Sequence, residues 1–292
     1  MQAIPTETRY VRSETLPGPV RDAVRIRPVT RREAYELVRA EYQRMVGLIL
    51  SLQPDDWQRP TACALWDVKS MVAHIAGALA GYASWTQFKR QYSPLSYKPY
   101  KGKYTEQVDM INAVQVDDRR DRSPEELIAE LRTVGLKALA TRSRIPAPIR
   151  AIRIPVGRFG FISLGYLLDT IYSRDMWMHR VDLCNATGRE MRLSPEHDGR
   201  IVALVVRDLV RSLAPKLEGA SVLYDLRGQA GGIYRVGEKA VPTATIRMDA
   251  LAFNLLASGR TSLAQARALN LVEIEGDTRL ADLALKNTAV LY

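Results

Sequence analysis

From Thr30 to Gly188 the apolar residues recur every three or four positions in one segment after another. Beyond residue 190 that period gives way to short alternating runs. Helical stripes bury against other helices, whereas alternating runs bury one face of a sheet, so a chain that changes period in this way needs two kinds of layer. At 292 residues it is also too long for one small core and suits two domains of ordinary size.

Residues 1 to about 28 are expected to form an irregular arm, by their proline and charge content. Thr30-Arg31-Arg32-Glu33 is then a capping box, followed by Ala34, Leu37, Val38, Met45, Leu48 and Ile49 at helical spacing up to Gln53-Pro54. A loop leads to a second helix whose stripe is Val68, Met71, Val72, Ile75, Leu79, Tyr82 and Trp85. A Pro- and Tyr-rich loop covers 92–103, and helical pattern resumes from Thr105 to Arg120. Ser123-Pro124-Glu125-Glu126 opens another helix, with proline at its first position, that runs to Arg144. An Arg- and Pro-containing loop precedes the last helix, which starts with Leu164, Leu168 and Ile171 and stops at Asn185-Ala186-Thr187-Gly188. Four main helices point to an all-α bundle over residues 29–190.

In residues 191–292 a helix begins at Ser194-Pro195-Glu196. The runs ASVLYDLRG and GGIYRVG pair as a hairpin, TATIRM and LVEIEG are further strands, and DALAFNLLASG, SLAQARAL and DTRLADLALKN are helices. This half is α+β.

Composition narrows the functional classes. No apolar run is long enough to span a bilayer, and the first residues lack a basic start followed by an apolar stretch, so a cytoplasmic protein without a signal peptide is expected. Cys63 and Cys184 are far apart with no CxxC, which argues against a disulfide framework and suits small buried residues. The net charge is +10, but the arginines are spread along the chain without a Lys/Arg tract, so neither nucleic acid nor a membrane is expected as partner. Some arginines are left to recognise small anions.

The chemistry-bearing residues are few. His74 lies beside the buried stripe of the second helix. His179 follows Asp175 by four positions, so the two share a helix face. Continuing the stripe of Leu164, Leu168 and Ile171 leads to Asp175, Met178 and Asp182, which puts two carboxylates where the pattern asks for apolar residues. A buried carboxylate is costly unless paired or bound to a cation. A metal on Asp175, His179 and His74 would satisfy it, and three protein ligands leave a position open, the catalytic pattern for zinc; iron, nickel or manganese also suit the donors. Spacing alone leaves other readings open: Asp175 paired with Arg174 or Arg180, or Asp182 orienting His179. His197, in the first turn of a helix, reads as a surface residue.

Two segments carry a family resemblance: Trp57…Pro60-Thr61-Ala62-Cys63…Trp66-Asp67-Val68…Val72-Ala73-His74, and Arg174-Asp175-Met176-Trp177-Met178-His179-Arg180-Val181-Asp182. The chain resembles the mycothiol-dependent maleylpyruvate isomerase family among the DinB-like metal-binding bundles. Gly259-Arg260, Ala264 and Val272-Glu273-Ile274-Glu275-Gly276-Asp277 resemble the sterol-carrier-like domain often fused to them. The resemblance implies a DinB-like four-helix bundle with metal ligands His74, Asp175 and His179, followed by a sterol-carrier-like α+β domain. It also implies a divalent metal and mycothiol or a similar thiol as cofactors, and a monomer or homodimer. The isomerases usually carry glutamate at the position of Asp175, one methylene longer, a departure that bears on metal identity and on isomerase activity.

The resulting expectation is a thiol-dependent transferase or isomerase acting on small electrophiles. Arg227 and Arg158 are the candidate catalytic arginines; Asn112, Arg119, Arg150 and Arg153 are candidates for holding thiol or substrate. For the arginines of the 145–161 loop and for Arg227 a solvated surface role is the plain alternative. The competing functions are a non-catalytic carrier of an apolar ligand, using the second domain, and a metal-binding sensor with a closed coordination shell.

Overall fold

The computed structural model describes residues 18–292, apart from the side chain of Arg158. Among these, Val29–Met191 form one compact unit, and residues 18–28 together with Arg192–Tyr292 form a second. The first strand, β1 (Arg21–Asp22), belongs to the second unit.

The first unit is helical. α1 (Arg31–Leu50) opens on the expected capping box, with the Thr30 hydroxyl accepting from the Glu33 N–H and the Glu33 carboxylate accepting from the Thr30 N–H. α2 (Val68–Ala83) is capped by Asp67, which accepts from the Ser70 N–H at 2.8 Å. Ser84 ends α2 in extended conformation and caps α3 (Trp85–Tyr92). That break turns Trp85 out of the stripe on which the periodicity placed it, and it is exposed rather than buried. α4 (Gln107–Asp117) and α5 (Pro124–Arg144) follow, α5 again on a capping box with Pro124 at its first position.

The segment read as a loop before the last helix holds more structure than its prolines suggest. It forms α6 (Ala147–Arg150) and a hairpin of β2 (Arg153–Pro155) with β3 (Phe161–Ser163). A short α7 (Leu164–Tyr166) passes through a π-helical turn, Leu167–Ile171, into α8 (Tyr172–Thr187). Gly188 ends α8 at φ 66°, a left-handed conformation that glycine adopts without strain.

α1, α2, α5 and α8 share one apolar cluster, including Met45, Ile49, Met71, Val72, Leu127, Leu131, Met176 and Leu183. α2 is buried nearly all round, and its small residues let neighbours approach closely. A buried, bidentate pair from Arg180 on α8 to Glu41 on α1, at 2.6 and 3.1 Å, braces the two helices.

The second unit is α+β. Its sheet runs β1-β5-β4-β6-β7, with β4 (Ser221–Arg227), β5 (Gly232–Gly237), β6 (Ala244–Asp249) and β7 (Glu273–Gly276). β4 and β5 form the expected hairpin; β6 lies parallel to β4 and antiparallel to β7. The helices are α9 (Asp198–Leu213), α10 (Ala250–Ala257), α11 (Leu263–Ala268) and α12 (Thr278–Lys286). Arg21–Asp22, expected in an irregular arm, instead pairs with β5, and Asp22 takes an ion pair from Arg235 at 2.8 Å. No helix among the described residues is long and apolar enough to cross a membrane.

The packing of α1 on α5 makes a sharp demand at Gly135, where a Cβ would meet the ring of Tyr42 at 2.2–2.3 Å. Tyr42 cannot swing aside freely, because its hydroxyl donates to the Leu131 carbonyl at 2.9 Å inside the core. Gly135→Ala is therefore expected to destabilise the protein by about 1–3 kcal/mol, despite the better helix propensity of alanine. A urea unfolding curve checks this, and a midpoint at or above that of the parent chain would contradict the packing argument.

Candidate metal centre

The loop before α2 is tied down residue by residue. Thr61 Oγ1 donates to the Trp66 carbonyl at 2.8 Å, the Trp66 N–H donates to the Cys63 carbonyl at 2.8 Å, and Pro60 bridges to Asp67. These bonds seat the Trp66 ring 4.7 Å from the imidazole of His74, tilted by 31°. His74 sits on the second turn of α2. The imidazole of His179, on α8, stands edge-on to it with centroids 5.1 Å apart. One donor atom from each of His74, Asp175 and His179 lies within 4.8 Å of the others. Both histidines are about 5% exposed, while the Asp175 side chain is one-third exposed at 34%.

His179 is fixed from both sides. Its Nε2 lies 3.3 Å from Asp175 and its Nδ1 lies 3.3 Å from Asp182, which is fully buried. A carboxylate on Nδ1 holds the ring in the tautomer that presents Nε2 and makes that nitrogen a better donor. The i, i+4 spacing of Asp175 and His179 and the inward place of Asp182 thus converge on one imidazole. Burial alone would lower the His179 pKa, but the Asp175 and Asp182 carboxylates outweigh it and raise the value to about 9. His74 goes the other way: burial, reinforced by the charge of His179, pushes it down to about 4. One imidazole is therefore protonated and the other neutral at neutral pH.

These residues fit a divalent cation. The Nδ1 of His74 is buried without a hydrogen-bond partner, as is the Oε1 of Gln115 on α4, whose amide also acts on His74. Two imidazoles and a carboxylate are a donor set that zinc, iron, nickel and manganese accept. The three donors line a cavity of about 20 Å³ with Ile75, Ala78, Leu79, Arg142, Tyr172 and Met176, enough for a single water-sized body.

Cys63, expected as an inert buried residue, is only half-buried, and its sulfur lies within 4.8 Å of donor atoms of His179 and Asp182. Among the other candidates, Arg119 lies close enough to His74 for its charge to act on the imidazole. Arg119, read as facing the cleft, is buried with its guanidinium clamped on Glu130 by two 2.8 Å bonds, so its charge is already neutralised. Arg150 is engaged by Asp169 and by the Arg142 carbonyl. Arg153 donates to the Phe161 carbonyl across the exposed β2–β3 hairpin. Asn112 is half-buried on α4. Arg227 ends β4 in the second unit, 3.9 Å from Asp225, and the side chain of Arg158 lies outside the described residues.

Sequence reasoning passed over Arg142. It is buried in the last turn of α5, its guanidinium 4.4 Å from the ring centre of Tyr82 and 4.1 Å from that of Tyr172. The signal was present: Leu127, Leu131 and Ala138 set the inward face of α5, and Arg142 continues it one turn on.

If a cation takes the place of the His179 proton, binding must release that proton. Zinc affinity of the metal-free protein, measured against a competing chelator, is expected to rise about tenfold per pH unit from pH 6 and to level off near pH 9. His74, with its pKa near 4, adds no proton over that range. An affinity independent of pH between 6 and 8 would show that His179 is not a ligand.

Residues 38–184 match the family described as the mycothiol maleylpyruvate isomerase N-terminal domain. Among solved structures, the chain is similar to the crystal structure of the mycothiol-dependent maleylpyruvate isomerase, with a TM-score of 0.53 and 11% identity over 86% of this chain and 95% of that one. A histidine-to-alanine mutant of that isomerase gives a TM-score of 0.54 at the same identity and coverage. At this identity the likeness concerns the fold. No curated protein matches the chain.

Proposed function

The chain belongs to the family of the mycothiol maleylpyruvate isomerase N-terminal domain, and from that premise we propose that it is a metal-dependent enzyme. In this reading it uses a low-molecular-weight thiol, mycothiol or a close equivalent, on a small electrophile, by isomerisation or by S-transfer. The observation that carries the reading is the convergence of His74, Asp175 and His179 from two helices, with Asp182 behind His179.

His74, Asp175 and His179 would hold the ion, with zinc first among the candidates. Bound there, it supplies a Lewis acid that keeps a thiol sulfur ionised near neutral pH. The remaining work falls to the chain. Asp182 holds His179 in one tautomer; Trp66 covers the imidazole pair; Ile75, Leu79 and Met176 keep the cavity wall apolar. Asp175 is partly exposed, so the site is reachable from outside, as turnover requires. A thiolate adding to an electrophilic carbon forms one C–S bond. If the bond later breaks after rotation about the carbon framework the result is isomerisation; if it persists the result is a thioether.

The same reading takes residues 29–190 as a DinB-like four-helix bundle and residues 191–292 as a sterol-carrier-like domain, to whose sheet Arg21–Asp22 of the N-terminal segment adds a strand. Arg227 is kept as its candidate catalytic arginine, and a cytoplasmic monomer or homodimer is the form envisaged.

Elemental analysis of the purified protein beside the His74→Ala, His179→Ala double variant tests the site. The expected result is about one divalent ion per chain in the parent and a marked loss in the variant; equal metal content in both would remove the site. A thiol-consumption screen against small electrophiles tests the activity, with thiol loss expected only in the metal-loaded parent.

A further inference from the structure

Most arginines in the interior of the helical unit meet a carboxylate: Arg119 meets Glu130, Arg150 meets Asp169 and Arg180 meets Glu41. Arg142 is different. It is 6% exposed, and among the described residues no carboxylate pairs with it. Its hydrogen bonding amounts to one long contact, Nη2 to the Ala78 carbonyl at 3.4 Å, and its Nε is buried without a partner. The rings of Tyr82 and Tyr172, whose hydroxyls are joined at 2.8 Å, hold the guanidinium in place. Stacking on aromatic rings offsets part of the cost of burying a cation but satisfies none of its in-plane N–H donors. A guanidinium buried in this way calls for an anion.

The position of Arg142 says where that anion would sit. Arg142 and Tyr172 line the same cavity as His74, Asp175 and His179. We propose that Arg142 is the anion-recognising residue of this site. A carboxylate of the bound ligand pairs with its guanidinium at the edge of this small cavity, and the rest of the ligand, which the cavity is too small to enclose, lies outward beside the partly exposed Asp175. A planar fork held against two aromatic rings suits a planar two-oxygen anion, and a lysine at the same place would offer a point charge without the fork. Tyr82 and Tyr172 act as positioning residues for the guanidinium. The proposal rests on the metal-centre reading above only for the ligand's place beside Asp175, since anion recognition by Arg142 can be measured without metal.

The test is calorimetric titration of maleate, and of its uncharged dimethyl ester, into the full-length protein in metal-free and zinc-loaded forms. Parent, Arg142→Gln and Arg142→Lys are compared, with zinc affinity measured in parallel. The parent is expected to prefer maleate over the ester in both forms. Arg142→Gln is expected to weaken maleate binding about tenfold or more, leave the ester unchanged and keep zinc affinity within about threefold of the parent. Arg142→Lys keeps the charge and serves if the glutamine variant does not fold; it should weaken maleate several-fold. Maleate binding equal to the parent in a folded Arg142 variant would overturn the proposal, as would a parent that does not distinguish maleate from its ester. A parent that binds no zinc overturns the metal reading alone, and the metal-free titrations still decide for or against Arg142.

Discussion

The helical unit is organised around one imidazole held between two carboxylates. His179 and Asp182 are almost fully buried, and Asp175 closes the other side of the ring. Two like charges at this spacing, in a medium far less polarisable than water, are tolerated only if something positive lies between them. The proton on His179, whose pKa the two carboxylates raise to about 9, is that positive charge in the chain by itself. A divalent cation would do the same task with more charge. His74 complements this: being neutral, it adds a nitrogen donor without adding another positive charge.

The surrounding elements make that imidazole pair rigid. The turn through Thr61, Cys63 and Trp66 is bonded to itself, so the indole is placed on the histidines by backbone rather than by chance packing. The π-helical turn at Leu167–Ile171 comes immediately before α8. One extra residue in a helix rotates everything downstream, and such insertions recur beside functional sites. Here the residues downstream are Asp175, His179 and Asp182, and they stay buried or partly buried on the side of α8 that meets α2 and α1. On the far side of His74, Gly77 lets α4 approach so closely that a Cβ would fall 2.6 Å from Gln115 Cβ, which brings the Gln115 amide to the imidazole.

How much of this could be read from sequence follows from the range of the interactions. Caps and helical stripes are local, and Thr30, Ser123 and Gly188 marked their boundaries directly. The strands Ser221–Arg227 and Gly232–Gly237 alternate cleanly and were also legible, whereas the hairpin at 153–163 has strands of three residues and a proline within one of them. Asp175, His179 and Asp182 share one helix, so their convergence follows from helix geometry. That His74 meets them depends on α2 packing beside α8, which spacing does not encode. The partners of the arginines are hidden for the same reason: that of Arg119 is eleven residues away and that of Arg150 nineteen, and neither pairing leaves a periodic trace.

The arginines also bear on the meaning of the basic composition. A net charge of +10 invites a search for a polyanion, yet in the helical unit much of the cationic charge is used internally. Arg90 holds Asp118, Arg119 and Arg122 share Glu130, Arg180 holds Glu41, and Arg189 holds Asp56. These pairs fasten helices and loops to one another. What separates Arg119 from Arg142 is therefore neither burial nor location, since both are interior residues near the same histidines. The difference is that Arg119 has a carboxylate and Arg142 has two aromatic rings. An arginine that serves the fold closes its hydrogen bonds within the fold, whereas one that faces a ligand cavity with its cation stacked and its donors open is arranged for something that arrives from outside.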